Sequence, residues 1–140
     1  MIELARVRLE AALSKNSAPR TRTAVVMVGR GSHDPCAQAD MRILAEVISA
    51  RVDVAHLTTA FYAMADPRLP VVLKQLASSG RFDAIIVQPH LLFEGRLFQA
   101  IRRQTDEAAQ RHPRIEWTHS EYLGPDPLVA EAIVARTGLS

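Results

Sequence analysis

The stretch Thr-Ala-Val-Val-Met-Val-Gly at residues 23–29 is an almost unbroken apolar run, and a glycine-rich turn follows it at once. A run without alternation of apolar and polar residues is typical of a strand that is buried on both faces. Residues 83–88, Asp-Ala-Ile-Ile-Val-Gln, form a second run of this kind. We therefore expect both segments inside a parallel sheet that is covered by helices.

Strand and helix patterns alternate along the rest of the chain. Residues 54–61 and 115–120 resemble strands, and the apolar spacing predicts helices over 36–52, 69–79, 95–111 and 127–137. Gly80 and Gly138 are expected to cap two of these helices, and Pro113 to stop a third. This order predicts an α/β fold of three layers, with a four-stranded parallel sheet and right-handed crossovers.

The segment before the first strand lies outside this alternation. Residues 1–13 have the mixed apolar spacing of an amphipathic helix, and a polar linker containing Pro19 follows. We divide the chain into an N-terminal helix and linker, residues 1–22, and an α/β domain, residues 23–140. The helix is expected to dock on this domain or on a partner.

Composition excludes several classes of protein. A chain of 140 residues with 48% apolar residues supports one core. The net charge is +2 and no basic run is longer than Arg102-Arg103, which disfavours nucleic-acid binding. Cys36 is the only cysteine, which excludes an internal disulfide and a cysteine-cluster metal site. Charged residues among the first 14 argue against a signal peptide, and no apolar run is long enough for a membrane helix. We expect a cytoplasmic protein that does not bind membranes.

Ligands of parallel sheets bind beyond the carboxyl ends of the strands. Here those ends are the loops at residues 29–35, 61–70, 89–95 and 121–127. The first loop contains Arg30, Gly31, Ser32 and His33, and its glycines allow a ligand to approach the backbone closely. A purely structural interpretation is equally open, since Ser32 or Asp34 can cap the helix that follows Pro35. The loop lacks the remaining residues of a dinucleotide or phosphate-binding motif.

The third loop carries His90 and Glu94. A neutral imidazole can bind a divalent metal or accept a proton, and Glu94 can act as a second ligand or base. Both residues also have structural interpretations, since a lone histidine is commonly structural and a glutamate complements a helix N-terminus. In the second loop Phe61 can form a wall for a flat macrocycle, and Arg68 can meet an acidic substituent. His56, His112 and His119 receive no role.

Taken in order, the segments VGRGSHDP, TAFYAMADPRLPVVLKQL, IIVQPHLLFEGRL and EYLGPDPLVAEAIVAR resemble the sirohydrochlorin chelatase family of cobalamin and sirohaem synthesis. The resemblance covers residues 23–137. It implies a flavodoxin-like chelatase fold and the insertion of Co²⁺, or alternatively Fe²⁺ or Ni²⁺, into sirohydrochlorin. The metal is then a substrate, and no organic cofactor is expected. The resemblance also implies a homodimer or a partner half-domain.

The chain departs from the family at two positions. Members usually carry a histidine in a Gly-His-Gly-Ser loop, where this chain has Arg30, and a second one two residues after the glycine of the third loop, where it has Leu97. At these two positions the chain resembles the second half of the long, two-domain members. Residues 1–13 would then correspond to the connector between the two halves.

Three alternatives follow from these departures. The chain completes a site with a partner half, or it is a self-sufficient variant in which His33 and His90 replace the missing ligands, or it binds a tetrapyrrole without metallating it. A regulatory domain with another ligand is a weaker alternative, because Gly29 stands where a receiver domain has its aspartate. The candidate residues are His90 and Glu94 for catalysis and His33 and His90 for the metal. For the tetrapyrrole they are Arg30, Gly31, Ser32, Phe61, Arg68, Phe93 and Arg96.

Overall fold

A computed structural model describes residues 2–90 and 95–120 of the chain. The elements in these ranges are α1 (Ile2–Ser14), a 3-10 turn (Arg20–Arg22), β1 (Thr23–Gly29), α2 (Pro35–Ser49), β2 (His56–Phe61), α3 (Leu69–Ser78), β3 (Ala84–Pro89), α4 (Arg96–Arg111) and β4 (Glu116–His119). The helix expected at residues 127–137 lies outside the described residues. Within the described part of the chain, none of the helices is both long and apolar enough to cross a bilayer.

The four strands form one parallel sheet in the order β2-β1-β3-β4. The predicted α/β fold with a four-stranded parallel sheet is therefore confirmed. The apolar runs that suggested it, β1 and β3, are the two central strands, and every residue of both is buried. The chain leaves β1 towards β2 on one side and returns to β3 on the other. The carboxyl ends of β1 and β3 thus flank a topological switch point, where such sheets bind ligands.

Two apolar clusters, one on each face of the sheet, make up the core. On the first face, side chains of α1 and α2 pack against Val25, Met27 and Ile86. On the second face, side chains of α3 and α4 pack against Val26, Ile85 and neighbouring strand residues. Alternate residues of each central strand contribute to the two clusters, as the period of two in a strand requires.

The N-terminal helix α1 docks on the domain itself. Leu4, Leu9 and Leu13 are buried in the first cluster. Arg20, which precedes β1, pairs with Glu10 at 2.6 Å and holds the start of the strand to the middle of the helix. The side-chain amide of Gln88 on β3 donates to the Ala5 carbonyl at 2.8 Å. These contacts make α1 the partner of α2 in the first helical layer.

The first residues of β2 and α2 differ from the sequence prediction, because hydrogen bonds from neighbouring segments determine where these elements begin. The second strand begins at His56 rather than at residue 54, because the Ala55 N–H bonds to the carbonyls of Arg20 and Thr23. The helix α2 begins at Pro35, one residue before the predicted start, since Asp34 caps it. The cap predicted for α3 is confirmed, because Gly80 follows Ser79 with a φ of +74°.

Candidate functional site

The loop after β1 is joined to the loop after β2 by main-chain hydrogen bonds. Tyr62 N–H donates to the Gly29 carbonyl at 3.0 Å, and Ala63 N–H donates to the Arg30 carbonyl at 3.1 Å. Gly31 has a φ of +99°, and a Cβ there would lie 1.6 Å from the Ala63 oxygen. Only glycine fits this close approach. Gly31 therefore allows the loop after β1 and the loop after β2 to lie in direct contact.

The rest of the first loop is a helix cap. The Asp34 side chain accepts the Cys36 N–H at 2.9 Å, Ser32 Oγ accepts the Asp34 N–H at 3.0 Å, and Pro35 occupies the first turn. Gln38 reaches back from α2 and donates to the Ser32 carbonyl at 2.9 Å. The structural interpretation of this loop is thus correct for Asp34, which is the N-cap, whereas Ser32 holds the backbone of Asp34. The same network also gives the loop a fixed shape beside Arg30.

His90 extends β3 by one residue. Its N–H donates to the Val28 carbonyl at 2.8 Å, continuing the pairing of β3 with β1. The imidazole is partly buried, and its Nδ1 has no hydrogen-bond partner among the described residues. Burial lowers the pKa of His90 below its ordinary value, because removal from water penalises the charged ring. The ring is therefore neutral near pH 7 and able to act as a ligand or a base.

A cleft of about 220 Å³ opens at the carboxyl ends of β1, β2 and β3. It brings together five of the predicted residues: Arg30, Gly31, Ser32, Phe61 and His90. Phe61 is 2% exposed, so its ring forms part of the floor. Arg30 is exposed at the rim, where its guanidinium can meet a carboxylate of a ligand.

Other predicted residues do not line this cleft. His33 is exposed and is not part of the lining. Arg68 precedes α3 and Arg96 begins α4; both are exposed and outside the cleft. Leu97 packs against the cluster on the second face of the sheet. Phe93 and Glu94 lie outside the described residues.

The described residues hold no group of three or more His, Cys, Asp or Glu side chains that could bind a metal. A single imidazole, that of His90, lines the described part of the cleft. Larger grooves occur elsewhere, for example one of about 480 Å³ beside Arg111 and His112. That groove lies at the amino ends of the strands, so we take the smaller cleft at the switch point as the candidate site.

Several residues near the site were not predicted from the sequence. Ala37, Gln38 and Met41 line the cleft from α2. Gln88 is fully buried on β3, two residues before His90. A signal for Gln88 was present, because it is the one amide in a segment that otherwise predicts a buried strand, and a buried amide needs hydrogen-bond partners.

Comparison with known proteins identifies the family to which the sequence is similar. Residues 24–138 match the model of the CbiX family. The sirohydrochlorin ferrochelatase of Bacillus subtilis (strain 168) is 30% identical over 118 residues, which are 84% of this chain and 44% of that protein. The sirohydrochlorin cobaltochelatase of Priestia megaterium is 23% identical over 126 residues, 90% of this chain and 41% of that protein. The chain thus spans less than half the length of these relatives.

Solved structures show the same fold. SirB from Bacillus subtilis with Fe³⁺ superposes with a TM-score of 0.79 at 25% identity, over 96% of this chain and 52% of that one. SirB from Bacillus subtilis subspecies spizizenii in complex with cobalt gives a TM-score of 0.67 at 23% identity, over 96% of this chain and 48% of that one. Both matches cover a larger share of the chain than the family model, which spans residues 24–138.

Proposed function

The chain belongs to the CbiX family, and from this premise we propose that it acts in the insertion of a divalent metal into sirohydrochlorin. The observation that carries the proposal is the cleft at the switch point, which is lined by both the partly buried imidazole of His90 and the exposed side chain of Arg30. Two relatives that bear the names of sirohydrochlorin chelatases support the choice of substrate.

The chemistry requires a metal ligand and a proton acceptor. As the ion enters the macrocycle it displaces two pyrrole protons, so the reaction consumes a partly dehydrated M²⁺ and releases two protons. The His90 imidazole would hold the ion at the cleft, and its lowered pKa keeps it unprotonated for that task. Glu94 would accept protons as they leave. Arg30 would bind a substrate carboxylate and hold the ring over Phe61.

The remaining roles extend this arrangement. Gly31, Ser32, Phe93, Arg68 and Arg96 are proposed to contact the tetrapyrrole and its carboxylates, and His33 to act as a second metal ligand. We propose Co²⁺ as the preferred metal, because imidazole binds late first-row ions well. Fe²⁺ and Ni²⁺ are the alternatives, and relatives named for both iron and cobalt leave iron as the main competitor. The protein would act in the cytoplasm, as a homodimer or with a partner half.

A second candidate function is a half-site without turnover of its own. It is favoured by Arg30, which stands where the resemblance implies a histidine and lines the cleft in its place. In this case the cleft would bind the tetrapyrrole carboxylates, and a partner would supply the metal ligands.

The proposal is tested by metallation of sirohydrochlorin, followed through the change in its visible spectrum after Co²⁺ is added. The whole chain should exceed the spontaneous rate, and His90→Gln should return it to that background. His56→Gln is the matched control, because His56 stacks on Phe82 with a centroid distance of 5.9 Å at the start of β2. This position is at the amino ends of the strands, opposite the cleft. Fe²⁺ and Ni²⁺ replace Co²⁺ in parallel assays to rank the metals.

The outcomes separate the two candidates. A rate above background that disappears in His90→Gln and persists in His56→Gln supports the enzyme. Quenching of Trp117 fluorescence by sirohydrochlorin without metallation, at all chain concentrations, rejects the enzyme and supports the half-site. A rate that rises more steeply than the chain concentration indicates that two copies form the active species.

A further inference from the structure

Gln88 is a fully buried amide at the carboxyl end of β3. Its Nε2 donates to the Ala5 carbonyl of α1 at 2.8 Å. Its Oε1 is buried and has no hydrogen-bond partner among the described residues. A buried acceptor without a partner destabilises the fold, so it is expected to have a function or a partner of its own.

The orientation of this amide is fixed by α1. Reversing the amide would place Oε1 against the Ala5 carbonyl, and two acceptors would then face each other. Nε2 must therefore point to the helix, and Oε1 must point elsewhere. The hydrogen bond to Ala5 thus determines where β3 presents a free acceptor.

His90 lies on the same face of the strand. Side chains at positions i and i+2 of a strand share a face, and the bond from His90 N–H to the Val28 carbonyl shows that the strand pairing continues to this residue. Ile86, a further two residues back, packs in the cluster that contains α1. Nδ1 of His90 is also buried without a partner among the described residues, as is Oγ of Ser120, which follows β4.

We propose that Gln88 is a positioning residue for His90. One bridging water accepts the Nδ1–H of the neutral imidazole and donates to Gln88 Oε1, and thereby satisfies both buried atoms. The ring is then held in the tautomer that carries its proton on Nδ1. The lone pair of Nε2 remains free for a ligand in the cleft. Histidine ligands of metals commonly donate their other N–H to such an acceptor.

This arrangement makes α1 part of the site. The helix lies outside the segment that matches the family model, yet its Ala5 carbonyl sets the direction of the acceptor that orients His90. The role of His90 as a metal ligand rests on the proposed function. The tautomer of His90 does not, because it can be measured without metal or substrate.

The test is ¹⁵N-resolved NMR of the His90 ring in the whole chain, above the pH at which the ring protonates. We expect the Nδ1–H tautomer in the wild type and a mixture of tautomers in Gln88→Met, which removes the acceptor at similar volume. Affinity for Co²⁺ alone, followed on the same ring signals, should fall about tenfold in Gln88→Met. Thr105→Val is the control, because Thr105 is buried on α4 and its hydroxyl bonds only the Ile101 carbonyl among the described residues. It should leave the His90 signals and the Co²⁺ affinity unchanged.

A wild-type ring with its proton on Nε2 overturns the inference, and this measurement requires no variant to fold. Equal tautomer populations in the wild type and in a folded Gln88→Met overturn it as well. A tautomer change in Gln88→Met in a chain that does not metallate sirohydrochlorin supports the positioning role and rejects the proposed function. Metallation by a chain whose ring tautomer does not depend on Gln88 supports the proposed function and rejects the positioning role.

Discussion

Replacement of Gly31 by alanine tests how the two loops of the cleft are held together. The added Cβ would lie 1.6 Å from the Ala63 oxygen and 2.7 Å from its carbonyl carbon. Both atoms belong to the main chain, so no side-chain rotation relieves the overlap. The φ of +99° at Gly31 is in addition one that alanine rarely adopts. The first and second loops must therefore separate in Gly31→Ala.

The magnitude follows from two contributions. Holding alanine at a positive φ costs about 1–2 kcal/mol. Separating the loops breaks the bond from Ala63 N–H to the Arg30 carbonyl, a net loss of about 1 kcal/mol. Gly80→Ala supplies the matched control, because Gly80 also has a positive φ but no atom lies within 4 Å of the added Cβ. Gly80→Ala should cost the first contribution alone, about 1–2 kcal/mol, and Gly31→Ala both contributions, about 2–3 kcal/mol.

Urea unfolding followed by Trp117 fluorescence measures both variants. With a denaturant slope of about 2 kcal/mol per molar, the midpoint should fall by about 0.5 M more in Gly31→Ala than in Gly80→Ala. Sirohydrochlorin binding should weaken only in Gly31→Ala, since only that change alters the cleft. Equal midpoints for the two variants would refute the reasoning, because they would show that the approach of Ala63 does not restrict the loop.

Three further predictions concern the core, the helix cap and pH. Leu9→Ala should destabilise the chain by about 2–5 kcal/mol, whereas Val7→Ala, at a position 42% exposed on the same helix, should change the urea midpoint little. Asp34→Ala should lose about 1 kcal/mol of helix capping, and Asp34→Ser should recover most of it in the same assay. Because burial lowers the pKa of His90, the stability that the neutral ring contributes is complete above the unfolded-state value of about 6.5 and is lost as the pH falls below it. The wild type should therefore lose more unfolding free energy than His90→Gln on acidification through this window. Parallel pH profiles of the two proteins would contradict a lowered pKa of His90.

The sequence predicted the fold well where burial dictates it. The first strand is Thr23–Gly29 as expected, since a segment buried on both faces admits few polar residues and its ends are sharp. The bounds of β2 and α2 were less accurate. They depend on a few local hydrogen bonds, at Ala55 and at Asp34, that an apolar pattern does not reveal.

The candidate site was predictable in its location and less so in its members. The position of a loop at the carboxyl end of a strand follows from the strand order, and His90 was found in this way. Whether a loop side chain enters the cleft depends on the path of the turn, which for His33 is set by the bonds among Ser32, Asp34 and Gln38. Gln88 was missed because an apolar pattern predicts that its strand is buried but does not indicate which partners a buried amide finds.

The docking of α1 has a consequence for exchanging such halves between proteins. A graft that starts at residue 24, where the family match begins, would leave behind Leu4, Leu9 and Leu13 and expose the apolar surface around Met27 and Ile86. Such a chimera is expected to aggregate or to recruit a foreign helix. A breakpoint that preserves solubility has to fall on the amino-terminal side of α1. The segment that can be inherited or transplanted as a unit is therefore longer than the segment by which its family is recognised.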